Sequence, residues 1–471
     1  MKEIKKTKIV ATLGPSSSDR GTIKDMMVAG VNIFRINFSH AGFDAAKQRI
    51  ELIRELNKEL GFNVGVLADL QGPKLRVGKM KDDVVVEKGA RIVFTTKKIE
   101  EGTNALVYMN YQSFPKDVKV GEQILLDDGK LIFEVASTDG HSEVVASVVQ
   151  GGPLKSNKGV NLPNTEVSLP ALTEKDVKDA MFAIEQQVDW FALSFVRNKE
   201  DLLALKKLIK KFSSFDIPII SKIEKPQALE NIDEIIDHSN GLMVARGDLG
   251  VEVPAEGVPL IQKNLVLKAK AARIPVIIAT QMMESMIEGL TPSRAEVNDV
   301  ANSVIDGADA VMLSGETSIG KYPVEVIQTM RKIVIHVENS PLILKHSQAP
   351  QNKNDRFITK STCYHAALMA TEIEAKAICT LTNSGYTAYQ ISAWRPDSSI
   401  LVFTSNRRIL TQLNLLWGVK CHYYDRFVST DETVMDVNLI AKEKGYVKTG
   451  DTLVNLLAMP AANKGMVNTL R

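Results

Sequence analysis

Pro218-Ile219-Ile220-Ser221-Lys222-Ile223-Glu224, followed after a helix-like interval by Gly241-Leu242-Met243-Val244-Ala245-Arg246-Gly247-Asp248, sets the pattern from which the fold is read. Each is a short run of apolar and β-branched residues that ends in charge. Such a run, without polar alternation, predicts a strand buried on both faces, as in parallel sheets. Working outward, the same signature recurs at 8–13, 31–36, 64–69, 190–193, 275–279 and 310–313, with helix-like segments between. Eight such units predict a (β/α)8 TIM barrel. Periodicity alone leaves a doubly wound open sheet as the alternative. Nearly every run closes in polar residues: Thr12, Arg35 through Ser39, Asp69, Ser194, Lys222 with Glu224, Arg246 with Asp248, Thr280 with Gln281, and Ser314 with Glu316. In a barrel these strand ends form the active face.

Between the third and fourth runs the texture changes to short strands at 83–86, 91–94, 123–126, 131–135 and 143–146. They are joined by Lys88-Gly89, Asp127-Asp128-Gly129 and Asp139-Gly140 turns. A small β domain inserted in the barrel is predicted, of the kind that closes over substrates. Beyond a helix at 324–338 and a polar linker at 340–356, runs at 377–381, 400–404, 419–423 and 452–457 predict a second α/β domain. The length of 471 residues accommodates these parts. A formal charge of +2 with 24% charged residues argues against a disordered chain and against a nucleic-acid-binding face. Three scattered cysteines, Cys363, Cys379 and Cys421, fit a reduced compartment, and no apolar run reaches the roughly 18 residues of a membrane span. A soluble cytoplasmic protein without membrane partners is expected.

Lys222, Glu224 and Asp248 bring a cation and two hard oxygen ligands to neighbouring strand ends. That set suits Mg²⁺ with a phosphorylated ligand, and equally an ordinary salt bridge. Gly315 to Tyr322 nearly spells a phosphate-binding loop, but Tyr322 stands where a small hydroxyl is required, so these glycines more simply shape a turn. His40 is a candidate base or a structural residue. Met282, Met283 and Met286 read as helix packing.

Six stretches then carry a resemblance: 8–15 (KIVATLGP), 34–40 (FRINFSH), 220–224 (ISKIE), 243–252 (MVARGDLGVE), 279–286 (ATQMMESM) and 309–317 (DAVMLSGET). In this order, over nearly the whole chain, they resemble the pyruvate kinase family. The resemblance implies a barrel of 1–72 and 169–340, interrupted by a small β-barrel lid of 73–168. A C-terminal α/β regulatory and oligomerisation domain of 341–471 follows, in a homotetramer. It implies transfer of a phosphoryl group from phosphoenolpyruvate to ADP, giving ATP and pyruvate in the last step of glycolysis. Glu224 and Asp248 would hold Mg²⁺ or Mn²⁺, and Lys222 and Arg35 would stabilise the phosphoryl group. The backbone of Ala245, Arg246, Gly247 and Asp248 would receive the substrate carboxylate. Thr280 matches the position tied to protonation of the enol, with Ser314 and Glu316 behind it. Pro15, Asn37, His40, Arg76 and Lys175 are implied nucleotide contacts, and Asp127 and Asp128 sit on the lid hairpin.

One stretch departs from the potassium-activated pattern Asp-Thr-Lys-Gly-Pro-Glu-Ile-Arg: here it is Asp69-Leu70-Gln71-Gly72-Pro73-Lys74-Leu75-Arg76. In that branch K⁺ sits among positions matching Asn37, Ser39, Asp69 and Leu70. Lys74, replacing a carboxylate, is expected to supply a tethered cation and to make K⁺ unnecessary. Thr382-Asn383-Ser384-Gly385-Tyr386-Thr387 matches the family's effector-phosphate loop through Thr382, Asn383, Ser384, Gly385 and Thr387. The C-terminal segment Met459 to Gly465 is poorer in glycine than in many relatives, which leaves a silent structural loop as the alternative. The competing enzyme class is a Mg²⁺-dependent carbon–carbon lyase on a similar barrel, and the competing non-enzyme is an inactive paralogue.

Overall fold

The computed structural model describes residues 5–340, 349–351, 354–426, 428–459 and 466–471. Eight parallel strands close into a barrel: Lys8–Thr12, Ile33–Asn37, Gly65–Asp69, Trp190–Leu193, Ile219–Ile223, Gly241–Ala245, Val276–Ala279 and Ala310–Leu313. Each is hydrogen-bonded to its sequence neighbours and the last to the first, which excludes the open sheet. Helices such as Phe43–Leu60, Lys199–Phe212 and Pro323–Glu338 bury one apolar face against the strands' outer side. Helix starts follow local chemistry, as where Thr173 and Ser293 form capping boxes with Asp176 and Glu296.

The barrel interior explains the site. Val10, Ile33, Leu67, Ala192, Ile220, Met243 and Met312 point inward and form its core. Because side chains alternate along a strand, the next inward positions are Thr12, Arg35, Asp69, Ser194, Lys222, Ala245 and Ser314. The alternation that fills the barrel thus stacks polar groups at its C-terminal mouth. Its opposite end is closed by the C-terminal domain: Leu415 joins the interior cluster and the Trp190 indole donates to the Gln412 carbonyl at 3.1 Å.

The insertion between the third and fourth strands forms a six-stranded sheet around Phe94, Phe114 and Phe133. Its edge strands, Val160–Asn161 and Leu106–Tyr108, are linked through bridges of Arg76 to Gly159 and Val77 to Met109, so the sheet curls upon itself. The strand expected at 83–86 shrinks to Val85–Val86, paired with Gly152–Pro153, because Asp83 takes a left-handed turn with φ 55°. The edge strand Val160–Asn161 is not revealed by the sequence pattern. The C-terminal domain carries Val419–Tyr423, Ser399–Thr404, Ala377–Leu381 and Leu453–Leu457 in parallel order with Thr469–Leu470 antiparallel at the edge. The expected linker at 340–356 falls in part outside the described residues. Among the described residues no helix is long and apolar enough to cross a membrane.

Candidate active site

At the barrel mouth the polar layer forms one connected network. Arg35 donates from Nε to Asp69 Oδ2 at 2.6 Å and from a terminal nitrogen to Thr12 Oγ1 at 3.0 Å. Lys222 Nζ donates to Ser194 Oγ at 2.7 Å and stands 3.3 Å from Asp69 Oδ1 and 3.0 Å from Glu224 Oε1. Glu224 Oε2 accepts the Phe195 N–H at 2.7 Å. Burial opposes the charge on Lys222, but Asp69 and Glu224 outweigh it and hold its pKa above the usual lysine value. Burial likewise works against the Asp69 carboxylate, and Lys222 and Arg35 reverse the effect and keep it below the usual range. For Glu224 burial prevails, with the charge of Asp248 adding to it against the pull of Lys222, so its pKa is raised.

Asp248 lies in the first turn of the helix Arg246–Glu252, which starts directly after the sixth strand. Arg246 itself turns away: its guanidinium grips Asp299 at 2.6 and 2.7 Å and the Thr280 carbonyl at 2.7 Å. It buttresses the loop after the seventh strand, so only its backbone can face a ligand. Thr280 and Gln281 are both left-handed, with φ 70° and 54°, an uncommon state that a β-branched residue adopts only under constraint. Thr280 Oγ1 accepts the Gly247 N–H at 2.7 Å and donates to the Ala279 carbonyl at 2.6 Å. Behind it Glu316 is buried, with its pKa raised by that burial, and accepts the N–H groups of Ser314 at 2.7 Å and Met283 at 3.1 Å. Met282, Met283 and Met286 are fully buried, as packing residues should be, and Gly320 lies against the Glu316 carbonyl, where a Cβ would clash at 2.3 Å.

The donor set fits a divalent cation. Glu224 Oε1 and Asp69 Oδ1 are buried oxygens that accept no aligned hydrogen bond, despite the nearby ammonium. Two carboxylates, Glu224 and Asp248, are within the one or two that Mg²⁺ commonly uses when substrate oxygens and water complete its shell. Among the described residues no group of three or more His, Cys, Asp or Glu side chains is arranged to hold a metal ion by itself.

The remaining expected residues divide. Asn37 Oδ1 accepts the Ser39 N–H at 3.0 Å, and Lys175 Nζ reaches the Phe38 carbonyl and Asp179 at 2.6 Å each. Next to this loop His40 is exposed, its pKa lowered by partial burial and then by the charges of Lys74, Arg76, Arg35 and Lys175. The structure therefore gathers these cations around one rim. Pro15 opens the turn Pro15–Ser17, which packs against the short helix Gly315–Ser318. Lys74 does not reach Asp69, whose carboxylate is taken by Arg35 and Lys222. It is exposed and lines a small cavity of about 40 Å³ with Asp128, Lys225 and Asp248. Asp127 is spent on Lys130 and Lys158. In the C-terminal domain, Gly385 adopts φ 83° and donates to Thr382 Oγ1 at 2.9 Å, while Thr387 accepts from Thr380 at 3.0 Å. The Asn383 carbonyl accepts from Asn406, and Ser384 Oγ is 3.5 Å from the Tyr386 N–H. Residues 460–465 of the C-terminal segment lie outside the described residues. Thr12 and Ser194, read from the sequence as polar strand ends without a role of their own, prove to be the hydroxyls that hold Arg35 and Lys222.

Comparisons with known proteins follow the same lines. Residues 4–327 match the family described as pyruvate kinase, barrel domain, and residues 360–471 match pyruvate kinase, alpha/beta domain. A pyruvate kinase of Geobacillus stearothermophilus is 41% identical over 99% of this chain and 80% of its own length. One from Clostridium perfringens is 38% identical over 99% of both chains. A crystal structure of a pyruvate kinase from Cryptosporidium parvum superposes with a TM-score of 0.93 at 31% identity, covering 99% of this chain and 95% of the other.

Proposed function

Because this chain belongs to the pyruvate kinase family and is a phosphotransferase, we propose that it moves the phosphoryl group of phosphoenolpyruvate to ADP, giving ATP and pyruvate at the end of glycolysis. The observation that carries the reading is the buried network of Arg35, Asp69, Lys222 and Glu224 at the barrel mouth, with Asp248 beside it. Phosphoryl transfer needs little covalent help from a protein; it needs positioning and positive charge aimed at the transferring oxygens. Lys222, locked by Ser194 and two carboxylates, is a preorganised cation of that kind. Asp69 fixes Arg35 in the same way.

Glu224 and Asp248 are the residues that would hold Mg²⁺ or Mn²⁺, which supplies charge neutralisation at the carboxylate and phosphoryl oxygens of the substrate. The backbone of Ala245, Arg246, Gly247 and Asp248 receives the substrate carboxylate. Thr280, whose hydroxyl accepts the Gly247 N–H, orders a water that protonates the enol. Glu316 holds the Ser314 and Met283 backbones and so sets the Thr280 turn. Asn37, His40, Arg76 and Lys175, with Pro15 further round the mouth, receive ADP, and Asp128 approaches it from the lid. Lys74 places an exposed cation on the rim near His40, and turnover without K⁺ is part of the proposal. The chain works as a cytoplasmic homotetramer.

The test couples pyruvate formation to lactate dehydrogenase. Turnover that requires phosphoenolpyruvate, ADP and a divalent cation together supports the reading; retro-aldol cleavage without ADP, or no turnover, overturns it.

A further inference from the structure

The helix Arg246–Glu252 that carries Asp248 in its first turn ends in a second acid whose place is electrostatically unfavourable. A carboxylate in the last turn of a helix faces the negative end of its dipole, and Glu252 is also buried, with no exposed side-chain surface. Its partners account for it. Oε1 accepts Lys225 Nζ at 2.6 Å and Asn161 Nδ2 at 2.8 Å, while Oε2 is buried without a hydrogen bond. Lys225 follows Glu224 at the end of the fifth barrel strand. Asn161 belongs to the lid's edge strand Val160–Asn161. One oxygen therefore joins the segment bearing Glu224, the helix bearing Asp248 and the lid.

A second contact falls on the same helix. Gly129, the left-handed tip of the lid hairpin with φ 82°, lies so close that a Cβ there would sit 3.9 Å from Val251 Cγ1. Asp128 beside it and Asp248 line one cavity. In this arrangement the Asn161 contact is a charge-assisted hydrogen bond in a desolvated place, where such bonds are strong.

We propose that Glu252 is a positioning residue for the phosphotransfer described above, latching the lid over the site through Asn161 on the oxygen that also pairs with Lys225. It does not touch the reacting atoms. It sets how long the lid stays shut over a bound nucleotide, and so acts on nucleotide affinity. This rests on the proposed phosphoenolpyruvate–ADP reaction.

The experiment compares wild type, Asn161→Ala, Glu252→Gln and the double variant by steady-state kinetics and by hydrogen exchange of residues 123–131 and 158–162. Loss of the latch raises KM for ADP about tenfold, the cost of one charge-assisted hydrogen bond, with kcat changed by less than about threefold. Exchange in the lid segments is faster, and the double variant loses no more than the larger single change, because both remove one contact. Losses that multiply in the double variant, or an Asn161→Ala protein equal to wild type in KM and exchange, overturn the latch. A wild-type protein without ADP-dependent turnover overturns the phosphotransfer reading instead, and the exchange comparison still decides the latch.

Discussion

Replacing Asp69 by Asn removes one buried charge at nearly constant shape. Asp69 is 1% exposed and meets two cations: Arg35 Nε at 2.6 Å and Lys222 Nζ at 3.3 Å. Removing one member of a buried ion pair costs about 3–5 kcal/mol, because the other charge stays buried and uncompensated. The structure places this case at the lower end. Lys222 retains Glu224 at 3.0 Å and Ser194 at 2.7 Å, whereas Arg35 retains only Thr12 at 3.0 Å. An asparagine oxygen still accepts from Arg35, so we expect a loss of about 3 kcal/mol. Urea unfolding followed by tryptophan fluorescence reads it as a lower midpoint at unchanged slope. The sign of the pH dependence follows from the depressed pKa of Asp69. The stability it contributes is present above its unfolded value of about 3.9 and is lost as pH falls through the lower folded value. The gap between wild type and Asp69→Asn is therefore flat from about pH 6 to about pH 8 and narrows only in acid. A loss below about 1 kcal/mol, within reach of an ordinary substitution, would refute the keystone role of Asp69. If the variant instead changed only the response to K⁺, Asp69 would belong to a monovalent-cation site.

Three further outcomes are expected. Lys222→Met lowers kcat by about 10³-fold or more, the scale of a lost charge at a transferring phosphoryl group, while circular dichroism shows the barrel retained. Glu316→Gln turns an amide N–H toward the Ser314 or Met283 N–H and costs about 1–3 kcal/mol of stability, read by denaturant midpoint; an unchanged midpoint would show that Glu316 does not hold the loop. Wild-type turnover with a bulky tetraalkylammonium salt equals that with K⁺, whereas Lys74→Glu with Leu70→Thr becomes K⁺-dependent; a many-fold K⁺ activation of wild type would remove the tethered cation.

The barrel was legible because its strands are buried on both faces and so carry unbroken apolar runs ending in charge. The observed strands differ from the runs by at most two residues at an end, as where the second begins at Ile33 rather than Val31. Lys222 and Glu224 were legible as a pair because they flank the end of one strand. What the sequence hid was long-range. Nothing in 69–76 announces that Asp69 serves Arg35 and Lys222 rather than a cation beside Lys74, since which neighbours meet a strand end is decided by barrel closure. Glu252 is silent in the sequence because Asn161, its partner, lies 91 residues away on a two-residue strand with no pattern of its own. The left-handed Thr280 was equally invisible, for propensity argues against it; only Arg246 on its carbonyl and Gly247 on its hydroxyl make that backbone tenable.

The most direct test of the phosphotransfer site is phosphorus NMR of phosphoenolpyruvate and ADP mixed with Mg²⁺ and either wild type or Lys222→Met. The phosphoenolpyruvate signal is expected to be replaced by the γ-phosphate of ATP with wild type and to persist with Lys222→Met. Equal conversion by the two proteins would contradict it, because the phosphoryl group would then be passing without the cation around which the barrel mouth is built.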